Sequence, residues 1–135
     1  MTLEDICTIT CNNRISTKDA NSEGDLNFVH PKQLNIDGRI DSKNCLKISS
    51  NNELIKQTVQ INDIIIVILG GLTGKIFKSN VAKEFVTGQT CAIIKSNDSS
   101  LYDKLLSKEE EINGIITGTA IKMISLSNLK KLELE

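Results

Sequence analysis

Aromatic residues, histidine and proline are scarce in this sequence. Its 135 residues include three Phe, one Tyr, no Trp, one His and one Pro. Proteins that bind single-stranded nucleic acid by stacking usually need several exposed rings, so we do not expect that mode of binding. Because Pro31 is the sole proline, the Asn-Pro-Pro-aromatic and Asp-Pro-Pro-aromatic tetrapeptides used by adenine methyltransferases are absent.

Patterns typical of catalysis and of nucleotide hydrolysis are also missing. His30 stands alone, and the sequence contains no Gly-x-Ser-x-Gly motif. The loop Gly70–Lys75 suggests a phosphate-binding loop, but Leu69 replaces the first glycine of that motif and Ile76 replaces its Ser or Thr. We therefore expect the chain not to be an enzyme, and we interpret these glycines as a tight turn between two strands.

The cysteines do not form a metal-binding pattern. No two of them make a Cys-x-x-Cys motif, and only Cys7 and Cys11 are close in sequence. A structural zinc site normally needs two close ligand pairs. We expect no metal and no other cofactor, and we predict that Cys91, which alternates with Ile93, is a buried, reduced thiol.

Long hydrophobic runs are absent as well. The longest run, Ile64–Leu69, has six residues, whereas a membrane-spanning helix needs about 20. The start of the chain, Met1–Asp5, is acidic where a secretory signal would be basic. We expect a cytoplasmic protein with no membrane contact, and 135 residues suit a single domain.

Charge is nearly balanced overall but unevenly distributed. The formal net charge is −1, yet residues 32–95 carry nine basic and five acidic side chains. Residues 1–31 carry two basic and five acidic side chains, and residues 98–135 carry five and seven. A basic middle between acidic ends is compatible with one electropositive face. An ordinary lysine-rich solvated surface is the alternative interpretation.

The apolar pattern predicts an α+β fold in which strands precede helices. Ile64–Leu69 is a continuous β-branched run between turn residues, which favours a strand buried on both faces. Asp37-Gly38 is typical of a hairpin turn. Further strands are predicted at Ile6–Thr10, Leu26–His30, Lys75–Val81, Thr90–Lys95 and Ala120–Ile124.

Helical spacing begins after residue 98. Thr2 with Asp5 predicts a first short helix, and Ser100 can cap a helix that carries Leu101, Leu105 and Leu106 on one face. Residues 108–116 continue in a helical pattern, and Ser127-Asn128 is predicted to cap a last turn. The expected architecture is a mostly antiparallel, curved sheet with a few short helices.

Three ordered stretches of the second half resemble the specificity subunits of type I restriction-modification systems. They are Val59–Ile66 followed by Gly70–Lys75, the strand Thr90–Lys95, and Leu101–Ser107 followed by Gly118–Ser125 with Leu129 and Leu132. Leu3–Ile6 matches the opening of the family loosely. Asn62 departs from the family pattern because a glycine is usual there, and Cys11-Asn12 departs in the same way.

The resemblance implies a target recognition domain that reads double-stranded DNA and has no catalysis of its own. It would cover residues 1–135 as a single domain, without the long spacer helix that normally follows. Its expected partners are double-stranded DNA, a methyltransferase subunit that binds S-adenosylmethionine, and a second recognition domain. In such a complex the chain would read one half of a split target.

The candidate DNA contacts lie in the basic middle near predicted turns. Lysine and arginine suit phosphates, and Asn, Gln, Arg or Lys suit base edges in the major groove. The candidates are Arg39, Lys43, Lys75, Lys78, Asn80, Lys83 and Gln89. Gly70, Gly71, Gly74 and Gly118 are interpreted as structural.

Two other functions are compatible with the same residues. One is a non-catalytic scaffold that binds the modification subunit, for which the acidic run Glu109–Glu111 offers a surface. The other is the C-terminal specificity region of a fused restriction-modification enzyme. DNA binding that weakens with salt would favour recognition, and complex formation insensitive to salt would favour the scaffold.

Overall fold

The computed structural model describes residues 1–11, 17–31, 45–51, 58–80 and 85–134. The described helices are α1 (Leu3–Ile6), α2 (Leu101–Leu106), α3 (Glu109–Gly114) and α4 (Leu126–Lys130), with a 3-10 turn at Thr17–Asp19. The described strands are β1 (Thr8–Thr10), β2 (Leu26–Val29), β3 (Leu46–Ile48), β4 (Ile64–Val67), β5 (Ile76–Lys78), β6 (Phe85–Thr87) and β7 (Cys91–Lys95). None of the described helices is long and apolar enough to cross a membrane.

The first sheet is antiparallel and has four strands in the order β1-β7-β4-β5. Its register places Ile65 of β4 opposite both Ile93 of β7 and Phe77 of β5. The β-branched composition of β4 suits this central position, because branched side chains pack well on a pleated surface. The run starting at Ile64 is therefore a strand, as predicted, although it ends at Val67 rather than at Leu69.

Strand β4 separates two apolar clusters, because successive side chains of a strand point to opposite faces. Ile64 and Ile66 pack on the side of the helices, whereas Ile65 and Val67 pack on the other side. The prediction of a strand buried on both faces is confirmed. The helix-side cluster also contains Leu3, Ile9, Ala92, Ile94, Leu101, Leu105, Ile112, Ile124, Leu129 and Leu132. The opposite cluster also contains Val29, Val59, Phe77, Cys91 and Ile93.

The second sheet has three strands in the order β3-β2-β6. Strands β2 and β3 are antiparallel, and β2 and β6 are parallel. Phe28 and Val86 form a third small cluster between these strands, together with Leu26 and Ile48. The predicted α+β class with mostly antiparallel pairing is confirmed, and the strands divide between two sheets.

The first and last described segments lie side by side. Thr2 and Glu133 form an antiparallel bridge. The N–H of Leu3 donates to the carbonyl of Leu132 at 2.9 Å. Helix α1 opens as predicted, since the Asp5 carboxylate accepts hydrogen bonds from the backbone N–H and the hydroxyl of Thr2 at 2.8 and 2.9 Å.

Two local predictions near the C-terminus are wrong. Ala120–Ile124 is not a strand, because the chain turns between Thr117 and Met123, and only isolated bridges form there. Helix α4 begins earlier than predicted, because the Ser125 hydroxyl accepts from the Asn128 N–H at 3.1 Å and so acts as the N-cap. The predicted Asp37-Gly38 hairpin lies outside the described residues.

Candidate nucleic-acid interface

Four of the seven predicted DNA contacts fall within the described residues. Arg39, Lys43 and Lys83 lie outside them. The other four are Lys75, Lys78, Asn80 and Gln89, and their positions follow from the register of the first sheet.

The first sheet has two distinct ends. Ile66 pairs with Ile76, and Val67 pairs with Cys91, so the turns that follow β4 and precede β7 lie at the same end. We call it the glycine-turn end, and it comprises Gly70–Lys75, Gln89, Thr90 and the turn 117–123 described below. Ile64 pairs with Lys78 and Ile94 at the opposite end, which we call the Asp63 end.

The predicted residues are divided between these ends. Lys75 and Gln89 lie at the glycine-turn end, and both are exposed. Lys78 and Asn80 lie at the Asp63 end, where Lys78 is half-buried. Lys75 and Lys78 are thus close in sequence but lie about 10 Å apart along the strand, at roughly 3.3 Å per residue. The structure does not bring the four residues into one group.

The glycine turn is held by its own hydrogen bonds. Gly70 and Gly74 both have left-handed φ angles, of 104° and 95°. Such angles favour glycine because a Cβ atom would be strained there. The Thr73 hydroxyl donates to the carbonyl of Gly70 at 2.6 Å, and the Gly74 N–H donates to the carbonyl of Val67 at 2.8 Å. The interpretation of these glycines as a turn between two strands is confirmed.

A second turn is attached to the glycine turn. The Gly70 N–H donates to the carbonyl of Lys122 at 2.9 Å, and the Thr73 hydroxyl lies 3.2 Å from the same carbonyl oxygen. The N–H of Ile124 donates to the carbonyl of Ile68 at 2.8 Å. These bonds fix the turn 117–123 against the end of β4, and they bring exposed Lys122 to the same end of the sheet as Lys75.

Lys122 is a candidate DNA contact that the sequence does not reveal. It belongs to the acidic last third of the chain and to a segment whose pattern suggests a strand. Only the long-range bonds from Gly70 and Thr73 place it beside the glycine turn.

The cations at the glycine-turn end are available. Within the described part of the chain, neither Lys75 nor Lys122 forms an ion pair, whereas Lys95 pairs with Asp63 and Lys104 pairs with Asp98. One acidic group is close: Glu109 lines a cleft of about 220 Å³ together with Lys75. This end therefore carries the positive charges of Lys75 and Lys122, with the negative charge of Glu109 beside Lys75.

The cations at the Asp63 end are engaged within the protein. The side chain of Asp63 is only 11% exposed, and it accepts from the ammonium of Lys95 and from the Gln60 N–H. The ammonium of Lys95 also lies 3.3 Å from the carbonyl of Thr58. The ammonium of Lys78 sits 5.8 Å from the centre of the Tyr102 ring, in cation–π contact.

Two of the four thiols lie near the glycine-turn end and serve packing. Cys91 is fully buried, and burial raises its pKa to about 12. Burial also raises the pKa of Cys11 to about 11, and its Sγ lies 3.6 Å from the carbonyl of Gly88. A thiol with a raised pKa stays protonated and unreactive at neutral pH. The prediction of Cys91 as a buried, reduced thiol is confirmed.

Solved structures share this fold. The S subunit of the type I restriction-modification system from M. genitalium is 20% identical, with a TM-score of 0.62, and the match covers 98% of this chain and 32% of that one. The HsdS subunit from Thermoanaerobacter tengcongensis is 19% identical, with a TM-score of 0.67, and the match covers 97% and 30%. A chain from a study of complex assembly in the type I system is 19% identical, with a TM-score of 0.70, and the match covers 97% and 32%. This chain thus spans about a third of the length of these structural relatives.

Sequence comparison identifies the family. A search of curated protein sequences found no match. The family described as the type I restriction modification DNA specificity domain matches residues 1–135. The match favours DNA recognition by a specificity component over the scaffold and fused-enzyme alternatives, and it supports the prediction that the chain is not itself the enzyme. The chain belongs to the family of type I restriction-modification DNA specificity domains.

Proposed function

We propose that residues 1–135 form one target recognition domain, which reads one half of a split double-stranded target and directs a partner methyltransferase to it. The observation that carries the proposal is the family match over the whole sequence. Coverage of 30–32% of the structural relatives is consistent with one domain of a larger subunit. A second recognition domain would read the other half of the target.

We place the main DNA contact at the glycine-turn end. Lys75 and Lys122 are exposed there without ion pairs to described residues, and Gln89 offers an amide that can bond to an adenine edge. Lys78 and Asn80 form a secondary candidate, because Lys78 already contacts Tyr102. Arg39, Lys43 and Lys83 stay proposed contacts of the basic middle.

Charge reversal at each end tests this placement. Lys75→Glu should weaken binding to all duplexes, because it removes an attraction to phosphate that does not depend on sequence. The slope of log affinity against log salt should become shallower by about 0.9 for each phosphate that is no longer neutralised. Lys78→Glu should have a smaller effect, and Lys131→Glu, which changes an exposed lysine at the end of α4, is the matched control. Fluorescence anisotropy of the purified chain across a salt series measures all three.

Two outcomes would contradict the proposal. If Lys78→Glu weakened binding more than Lys75→Glu, the interface would lie at the Asp63 end. If the chain bound no duplex even near about 20 mM salt, where screening is weak, the scaffold alternative would be favoured. Pull-down of the modification subunit would then be the next measurement.

A further inference from the structure

Three exposed apolar side chains emerge from the two turns of the glycine-turn end. Leu72 is 41% exposed, Ile121 is 66% exposed and Met123 is 43% exposed. Their backbones are adjacent, because Gly70 and Thr73 both bond to the carbonyl of Lys122. Of the seven large hydrophobic side chains exposed in the described part of the chain, three lie on these two joined turns. Exposed apolar side chains that lie together are typical of contact sites.

The turn 117–123 holds Ile121 in a defined position. Thr117 and Met123 exchange two backbone hydrogen bonds of 2.9 Å, which close the base of the turn. Gly118 has a φ of 94°, and a Cβ atom on it would lie 2.0 Å from the carbonyl oxygen of Ile121. The close approach requires glycine at this position, because a Cβ atom would collide with the backbone of Ile121.

Cationic and apolar groups alternate at this edge. Lys122 directly follows Ile121, and Lys75 closes the glycine turn that carries Leu72. The major groove presents a matching pattern, since the C5-methyl group of thymine is an apolar group on its floor and phosphates line both sides. Charge complementarity therefore favours duplex DNA over a second copy of this chain, which would bring like charges together.

We propose that the turn 117–123 is a base-reading element, in which Ile121 contacts a thymine methyl group while Lys122 and Lys75 contact the flanking phosphates. The inference rests on the proposed function and adds to it the chemical group that is read. It assigns specificity to an apolar contact in a turn, in addition to the polar side chains expected from the sequence.

The test compares thymine with uracil, which lacks only the methyl group. The half-site preferred by the full 135-residue chain is first selected from random duplexes. Each thymine is then replaced by uracil, one at a time, and affinities are measured for the unmodified protein, for Ile121→Ala and for Ile61→Ala. Ile61 is 59% exposed at the Asp63 end and is the matched control.

At the thymine that Ile121 contacts, replacement by uracil should weaken binding about fourfold, which corresponds to the free energy of burying one methyl-sized group. This loss should disappear in Ile121→Ala and persist in Ile61→Ala. Ile61→Ala should bind random duplexes at low salt as the unmodified protein does, because Ile61 is exposed at the Asp63 end, away from the proposed contact. Specific binding in which the uracil effect is absent, or is the same in all three proteins, would overturn the inference but not the proposed function.

Other results separate the two proposals further. A preferred half-site without any A·T pair would also overturn the inference alone. Loss of methyltransferase binding in Ile121→Ala, with DNA binding intact, would assign the turn to the partner protein instead. Absence of all duplex binding would contradict the proposed function and the inference together.

Discussion

At the scale of single residues, the backbone conformation of Asn62 explains why it can replace the glycine of the family pattern. Among the residues that the structure describes, Asn62 is the one residue other than glycine with a left-handed backbone, with a φ of 73°. It occupies a position where the family resemblance leads one to expect glycine. Asparagine tolerates this conformation better than other residues with a Cβ atom. The position therefore requires a backbone shape, and both residues supply it.

Substitution of Asn62 should follow that requirement. Asn62→Ala should lower the free energy of unfolding by about 1 kcal/mol, because alanine is strained in the left-handed region. Asn62→Gly should keep stability within about 0.5 kcal/mol. Urea unfolding measures both, with Asn97→Ala as an exposed control. Equal stability of the alanine and glycine variants would show that φ is not what selects the residue.

The candidate contacts show why sequence proximity is a poor guide to a binding surface. The sequence predicts Lys75 and Lys78 as parts of one site, yet a short strand carries them to opposite ends of the sheet. Lys122 lies far from Lys75 in sequence but close to the glycine turn through hydrogen bonds to its backbone. Such contacts depend on long-range pairing, and local patterns do not encode that pairing.

At the scale of elements, the turn before α2 is held by Asp98, and the predicted side-chain cap by Ser100 does not form. Ser100 occupies the N-cap position but makes no side-chain cap bond. Asp98 accepts from the Ser100 hydroxyl at 2.6 Å and its N–H at 2.9 Å, and from Lys104 at 3.0 Å. The hydrogen bond from the Ser100 hydroxyl, followed by those from Lys104 and the Ser100 N–H, lowers the pKa of Asp98 to about 2.

The hydrogen bonds of Asp98 should make the stability of the fold depend on pH in the acid range. A carboxyl group whose pKa is lowered by folding stabilises the folded state at pH values above its unfolded pKa, 3.8. This stabilisation is lost as the pH falls towards the folded-state pKa of about 2. Asp98→Asn should therefore flatten the fall in thermal unfolding midpoint across that window. Asp103→Asn, an exposed acid within α2, is the control. A fall of the same steepness in Asp98→Asn would contradict the role of Asp98.

Elements with strong apolar patterns are predictable from the sequence, and those set by turns are not. The β-branched run at β4 and the buried leucines of α2, Leu101 and Leu105, are recognisable from the local sequence. Leu106, predicted on the same face, is 46% exposed instead. Ala120–Ile124 has enough apolar residues to suggest a strand, but Gly118 with its left-handed φ turns the chain first. Ser125 rather than Ser127 caps α4. Both positions are serines, so residue type alone does not distinguish them. Boundaries of this kind depend on one hydrogen bond.

At the scale of the whole molecule, the two apolar clusters share β4 and should unfold together. Ile65→Ala empties space on the side away from the helices and should cost about 2–5 kcal/mol. The same shift should be seen by tyrosine fluorescence, because Tyr102 lies on helix α2 across the sheet. Ile61→Ala, at an exposed site, should change stability by less than about 0.5 kcal/mol.

The prediction is tested by comparing the unfolding transitions measured by circular dichroism and by tyrosine fluorescence. Circular dichroism follows all elements, and Tyr102 follows the helix side alone. If Ile65→Ala shifted the dichroism transition and left the Tyr102 transition in place, the two clusters would be independent units. The parallel pairing of β2 with β6, which places Asn27 opposite Phe85, could not be predicted from the sequence, because it joins residues far apart in the chain.

The bridge between Thr2 and Glu133 has an evolutionary consequence. In the larger subunit proposed above, segments that flank this domain would be attached at neighbouring points, because Thr2 and Glu133 lie side by side. Replacing one such domain by another leaves the spacing of the flanking segments almost unchanged. Exchange of the domain between genes would then carry its proposed DNA specificity with it and preserve the assembly around it.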